Sequence, residues 1–486
     1  MTDTPSDLPQ LAQQIASLIA EYHASLAARP VTPDTAPRAV YEALPDRAPE
    51  QPEAWEDILR DVNELILPNL TNWQSPDFFA YFPSNTTVPA MLADFLCAGL
   101  GVQGMLWSTS PAATELEMRT LDWLANIINL PKSFTFEPES GSGGGDGGSG
   151  GGEGCGGGGG VINGTASEAV LATMIAARHR ALTNSADPSR LTAYTSTQAH
   201  SSVAKAARVM GLPSEALRLI DTDDALAMRP ESLRSAIEQD RKSGAVPFFC
   251  CATLGTTSTG AFDPISRIAP ICTEHGVYLH IDAAWAGSAL VCPEYQHLMA
   301  GVEHADAFNF NPHKWLLTNF DCSCLWVRDR KALIDAMSIT PEYLRNPASE
   351  SGRVVDYRDW HIPLGRRFRA LKLWFVIRRY GVEGLRAHIR RHIALAGELE
   401  SLIRADVRFE RFEPRSLALV CFAHRDGDQA TRALLERVNA SRRAFLTHTV
   451  VPFQGKQRYL IRVAIGSMNT QQHNIHALWK LIKESV

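Results

Sequence analysis

Apolar residues recur every three or four positions in LPQLAQQIASLIAEYHASL and again in AWEDILRDVNELILPNL, with the proline-rich joint RPVTPDTAP between them. That spacing predicts amphipathic helices, and an arm with an apolar stripe has to pack on something. From about residue 90 to 330 the pattern changes. Short apolar runs (LTAYTS, LRLI, VPFFCCATL, VYLHIDAAW, DAFNFN and CSCLWV) alternate with stretches of helical period. Such alternation predicts strands buried on both faces, hence an α/β unit on a mixed, mostly parallel sheet with helices on both sides. RALKLWFVIRRYG then leads into a last unit, where LALVCFAH and YLIRVAIG read as strands and NIHALWKLIKES as a closing helix. The expected division is a helical arm (1–88), a large α/β domain (89–370) and a small C-terminal α/β domain (371–486). No internal repeat is visible.

One segment breaks the pattern: fifteen of the twenty residues from Gly141 to Gly160 are glycine. Glycine loses the most conformational entropy on ordering, and the run has no apolar anchor, which predicts a flexible exposed insertion over about 141–157. A polyglycine satisfies GxGxxG trivially, and this one lacks the GK[ST] ending of a nucleotide-binding P-loop. Just downstream, in GGGVINGTASEAV, Thr165 and Glu168 have the T-x-x-E spacing of a capping box. The N–H groups at such a helix start, beside the small residues Ala166 and Ser167, can bind an anion. Taken alone, these residues favour a plain capped helix over an anion site.

Composition narrows the classes of function. At 486 residues the chain exceeds what one hydrophobic core usually serves, and 45% hydrophobic with 21% charged residues describes a soluble globular protein. A net charge of −6 with scattered basic residues (GRRFR at 365–369 is a short run) gives no sign of a nucleic-acid or membrane-surface partner. No apolar run reaches the ~18–20 residues of a membrane span, and MTDTPSDLPQ lacks the layout of a signal peptide. The nine cysteines are an odd number without a CxxC spacing, which points to reduced, buried thiols and a cytoplasmic location. His388 and His392 stand four apart around IRR without an HExxH pattern, so they are expected on a solvated helix face, and no metal site is expected.

Open α/β sheets bind ligands at the carboxyl ends of their strands. VYLHIDAAWAGS ends its strand in Asp282, DAFNFNPHKW in Asn311, His313 and Lys314, ATLGTTSTG in Thr256 and Thr257, and YTSTQAHSS in His200. Singly, each has a bland reading as a surface lysine, a capping aspartate or a core-edge histidine. Together they suit a cofactor with a phosphate, a cationic ring nitrogen and a carbonyl. Pyridoxal 5'-phosphate (PLP) fits that description, since it needs an amine to bond, a carboxylate for its pyridine nitrogen and a ring to stack on. Burial and neighbouring positive charge would keep such a lysine near neutrality.

FNFNPHKWLLTNFDCS resembles the cofactor-lysine motif of the group II PLP decarboxylases, of the aromatic-L-amino-acid decarboxylase type. The resemblance runs from about residue 50 onward through NWQSPDFFAYFPS, PAMLADFLC, SPAATELE, GTASEA, QAHSSV, CATLGTT, HIDAAWAGSALVCPE and DYRDWHIPLGRRFRALKLWFV. It implies a fold type I architecture and an intertwined homodimer, with the arm swapped and active sites at the subunit boundary. Lys314 then corresponds to the cofactor-bonding lysine, Asp282 to the partner of the pyridine nitrogen and His200 to the ring-stacking histidine. Ala166, Ser167 and Asn311 resemble the phosphate cup, with Thr256, Thr257 and His313 nearby. ITPEYLRN resembles the mobile catalytic loop, about 335–355, whose Tyr343 would protonate the substrate carbon and reach the neighbouring subunit's site.

Trp73, Tyr81, Phe82, Pro83, Ser84, Gln103, Met105 and Gly365 correspond to the substrate pocket. Here Ser84 replaces the threonine usual in animal members, and Gln103 and Met105 stand where aromatic or aliphatic residues are commoner. The implied activity is decarboxylation of an aromatic L-amino acid (tryptophan, tyrosine, phenylalanine or a hydroxylated derivative) to its amine and CO2. An aldehyde-forming variant is the alternative. Relatives of that kind tend to replace the loop tyrosine with Phe or the stacking histidine with Asn, whereas Tyr343 and His200 are both present. A non-aromatic substrate is disfavoured by the aromatic lining from Trp73 to Phe82. A scaffold without chemistry would have lost Lys314 or Asp282.

Overall fold

In a computed structural model, residues 6–136, 157–184, 186–339, 341–412, 415–453 and 455–486 are described. Most of the glycine run lies outside them, as does the Tyr343 side chain. The strands are β1 (Gly159–Asn163), β2 (Leu191–Ser196), β3 (Leu217–Ile220), β4 (Val246–Thr253), β5 (Tyr278–Asp282), β6 (Ala307–Phe310), β7 (Ser323–Val327), β8 (Phe409–Arg411), β9 (Leu419–His424), β10 (Thr447–Phe453) and β11 (Lys456–Ala464). β1 to β7 form a seven-stranded sheet in the order β1-β7-β6-β5-β4-β2-β3, parallel except where β7 runs antiparallel to β6 and β1. β8 to β11 form a second, antiparallel sheet in the order β10-β11-β9-β8.

Alternation along the central strands explains the large sheet. Ile162, Cys250, Leu279, Ile281, Phe308 and Trp326 enter one hydrophobic cluster, while Val161, Cys251, Tyr278, Ala307 and Leu325 enter the other. Both faces are therefore covered, which is why these runs read as continuously apolar. Helix Ala166–Thr183 packs close because the side it buries carries Ala169, Ala172, Ala176 and Ala177. Helix Ala370–Arg404 joins the two sheets and is broken at Gly381, whose φ of 63° and ψ of 171° suit a residue without Cβ. No helix among the described residues is long and apolar enough to cross a membrane.

Several local expectations need correction. β1, β8 and β10 were not legible as strands. The capping pair is shifted by one residue: Thr165 makes no side-chain cap, and Glu168 Oε2 accepts the N–H of Gly164 at 2.9 Å. His388 and His392 do not face solvent. Both are buried, and His392 Nδ1 accepts the Trp315 indole N–H at 2.9 Å.

Candidate active site

The carboxyl ends of β2, β4, β5 and β6 and the start of helix Ala166–Thr183 meet around a cavity of about 240 Å³. Of the residues singled out in the sequence, Phe82, Ala166, Ser167, His200, Thr257, Asp282, Asn311, His313 and Lys314 line it. Register explains the convergence. Thr253 on β4 pairs with Asp282 on β5, and Asp282 pairs with Asn309 on β6, so the residues that follow these strands emerge side by side. Thr165, read in the sequence only as a helix cap, also lines it, and sequence reasoning missed Thr253, Gly255, Ala284, Trp285 and Phe320. The signal for Trp285 was its place three residues after Asp282, within HIDAAWAGS. Gly255 turns the chain at φ +82°, where a Cβ would come within 2.6 Å of Ala286 Cβ.

Burial pushes the Lys314 amine below the ordinary lysine value, Asp282 opposes this, and Arg462 adds to it. The Lys314 Nζ lies 5.3 Å from the centre of the Phe82 ring. Asp282 is buried, and its Oδ1 accepts the Ala284 N–H at 3.0 Å. His200 stands at the accessible rim, with Nδ1 accepting the Ser202 N–H at 3.1 Å. Partial burial lowers its pKa, Asp282 opposes that shift, and Lys314 reinforces it. His313 is neutral: burial pulls it down to about 3, and Nδ1 accepts the Cys322 N–H at 2.9 Å.

The remaining expected residues sit elsewhere. Thr256 is fully buried, and its hydroxyl accepts the Ala261 N–H at 3.0 Å, which holds the turn. Ser84 donates to the His313 carbonyl at 2.9 Å, behind the cavity. Tyr81 and Trp73 are exposed and stacked on each other, 5.7 Å apart. Pro83 packs against Gly466, Met105 is half-buried, and Gln103 and Gly365 are exposed neighbours. None of these lines the cavity of this subunit. The Tyr343 backbone lies in the short turn Glu342–Leu344.

The pyridoxal-dependent decarboxylase conserved domain matches residues 37–425. The chain belongs to that family. It is 45% identical over 494 residues to tyrosine decarboxylase 2 of Narcissus pseudonarcissus, covering 99% of this chain and 94% of that protein. It is also 45% identical over 494 residues to phenylacetaldehyde synthase of Arabidopsis thaliana, covering 99% and 96%. The crystal structure of Oryza sativa TDC with PLP and tryptamine superposes with a TM-score of 0.93 at 38% identity, covering 100% of this chain and 98% of that one. This decarboxylase therefore has the fold type I architecture and uses PLP.

The side chains present fit that cofactor. Asn311 Oδ1 and Thr253 Oγ1 are buried without a partner in a cavity that also holds an amine of lowered pKa and a buried carboxylate. The first-turn N–H groups at Ala166 and Ser167 have no acceptor one turn back, which suits a phosphate.

Proposed function

We propose that this decarboxylase converts an aromatic L-amino acid to its amine and CO2, with PLP held on Lys314. The observation that carries the reading is one cavity enclosing Lys314, Asp282 and His200 between the aromatic rings of Phe82, Trp285 and Phe320. Bound PLP supplies an electron sink for the pair released when the Cα–carboxylate bond breaks. Lys314, whose amine burial pushes below its ordinary pKa, is the nucleophile that can hold the cofactor and give way to the substrate amine. Asp282 offers a fixed negative charge for the cofactor's ring nitrogen, His200 a ring to stack on, and Ser167, Asn311 and Thr257 polar groups for its phosphate. Tyr343 is assigned as the donor that returns a proton to the substrate's Cα.

The same reading makes the protein a cytoplasmic homodimer with shared sites. Helix Val88–Leu100 exposes Val88 (62%), Leu92 (55%), Phe95 (55%) and Leu100 (55%), too much apolar surface for one helix to leave in water. Leu8, Ile15 and Ile19 of helix Leu8–Ser25 are likewise exposed, which supports a swapped arm over residues 1–88, ahead of a cofactor domain at 89–370 and a small domain at 371–486. Gln103, Met105 and Gly365 then face the partner's cavity rather than their own. All eight described cysteines are free and buried, in keeping with a reducing compartment.

The test is a competition assay of the PLP-loaded protein with tryptophan, tyrosine, phenylalanine and their hydroxylated derivatives against glutamate. CO2, amine and peroxide are measured together. Amine equal to CO2 from an aromatic substrate is the expected result. Turnover of glutamate alone overturns the substrate class, and aldehyde with peroxide in place of amine overturns the outcome.

A further inference from the structure

His392 lies one helix layer beneath the site, and the reaction as described gives it no task. Its Nδ1 accepts the indole N–H of Trp315, the residue that follows Lys314, at 2.9 Å. Trp315 stacks on Trp285 at 5.2 Å and 18°, and Trp285 stacks on Phe82 at 4.5 Å and 19°. Phe82 is the ring that faces the Lys314 amine. Trp315 and Trp285 are buried, and Phe82 is 8% exposed. An interior of this density transmits displacement, so one ring cannot tilt without moving the next.

We propose that His392 is a positioning residue of the active site. By accepting the Trp315 N–H it sets the tilt of the Trp315–Trp285–Phe82 stack, and through it the wall against which Lys314 and the bound cofactor are oriented. The inference rests on the PLP site assigned above.

The role requires Nδ1 to be unprotonated, with the ring proton on Nε2. Burial keeps the imidazole neutral by depressing its pKa well below 6.5, and His388 and Arg391 push the same way. His388 packs edge-on at 4.3 Å and is itself held neutral, near 3, mainly by burial. The pair that reads in sequence as a polar helix face is therefore two neutral imidazoles under the site. Trp285 has little freedom to escape a shift of Trp315, because Gly255 and Gly260 bring backbone against its ring where a Cβ would come within 3.2 and 3.4 Å.

Three single variants and one double variant of the full-length holoenzyme test the role. His392→Leu deletes the acceptor at similar volume, His392→Asn keeps an oxygen near the Nδ1 position, and Trp315→Phe deletes the donor but keeps a ring. The readouts are kcat and KM for an aromatic substrate, the melting temperature, and the induced circular dichroism of the visible band per mole of bound PLP. That last signal reports cofactor orientation and is indifferent to a purely structural role. His392→Leu and Trp315→Phe should each lower kcat about tenfold with little change in KM, since misorientation acts at the reacting centre. Both should alter the induced dichroism. His392→Asn should recover most of both signals, and the Leu/Phe double variant should be no worse than His392→Leu, because the two changes remove one interaction.

The inference fails if a folded His392→Leu keeps native dichroism and a kcat within about twofold of wild type, whatever its melting temperature. It also fails if His392→Asn is as damaged as His392→Leu. Should His392→Leu not fold, Trp315→Phe decides by the same criteria. A wild-type protein that binds no PLP would sink the site assignment itself, whereas indifferent variants of an active wild type sink this inference alone.

Discussion

β1 is an edge strand, and its free side is covered by side chains. Glu117 Oε1 accepts the Ile162 N–H at 2.8 Å, Arg366 Nη2 donates to the Ile162 carbonyl at 3.0 Å, and the Tyr357 hydroxyl donates to the Gly160 carbonyl at 3.0 Å. Glu117 and Arg366 also bind each other, at 2.7 and 3.2 Å, with side chains 3% and 2% exposed. The pair acts as a surrogate strand along the backbone that leads into Thr165, Ala166 and Ser167. Glu117→Ala leaves a buried guanidinium without its counter-charge, a cost of about 3–5 kcal/mol. The orphaned Ile162 N–H would cost ~1–3 kcal/mol on its own, but that cost overlaps with the first and the two do not simply sum.

Taking about 4 kcal/mol and roughly 2 °C per kcal/mol for a large domain, the melting temperature should fall by about 8 °C. The assay is thermal unfolding of the PLP-free protein, so that cofactor binding does not mask the loss. Cofactor affinity, measured separately, should weaken as the cup loses its support. Replacing both partners, as Glu117→Met with Arg366→Met, removes the unpaired charge and should recover part of the loss, the remainder being the Ile162 N–H and carbonyl that stay without partners. A Glu117→Ala protein that melts within about 2 °C of wild type would refute the reasoning, as would a double variant no better than the single.

Lys314→Ala should abolish turnover and the covalent cofactor link; borohydride reduction of the wild type, followed by peptide mass spectrometry, should find the pyridoxyl group on Lys314 and on no other lysine. Tyr343→Phe should still release CO2, more slowly, while amine yield falls and aldehyde, ammonia and peroxide appear in the presence of oxygen. Mixing Tyr343→Phe with Lys314→Ala subunits should restore amine formation if the loop crosses the interface, and no recovery with subunit exchange confirmed would put Tyr343 in its own subunit's site or outside catalysis. Acid should destabilise the fold early: burial holds His280 near 4 and His313, His361 and His388 near 3, against an ordinary 6.5. Below about pH 6.5 the unfolded chain binds protons that the folded one refuses, so stability is full above that pH and falls toward pH 4. A melting temperature flat down to about pH 5 would contradict this.

The chemistry was legible because each piece of it is local. A strand buried on both faces ends where its apolar run ends, and the polar residue that follows is thereby marked; Asp282, Lys314, Asn311 and Thr257 were found in that way. The start of helix Ala166–Thr183 was legible from its capping spacing, although Glu168 accepts the N–H of Gly164 where that of Thr165 was expected. β1 escaped notice because it is short, glycine-rich and held by Glu117 and Arg366, which lie 45 and 204 residues from Ile162. β8 and β10 are edge strands with mixed burial, so they carry no continuous apolar run. The His388–His392 pair misled for a related reason. Spacing on a helix says which side chains share a face, but only packing decides what that face meets, and here it meets the indole beside Lys314. Gln103 and Gly365, expected in the substrate pocket from the resemblance, lie outside this subunit's cavity, because spacing does not say which surface covers a residue. Local apolar patterning marked the candidate site residues and the sheet that carries them; tertiary packing alone decided which polar groups are buried, what satisfies them, and which walls the cavity borrows from distant parts of the chain.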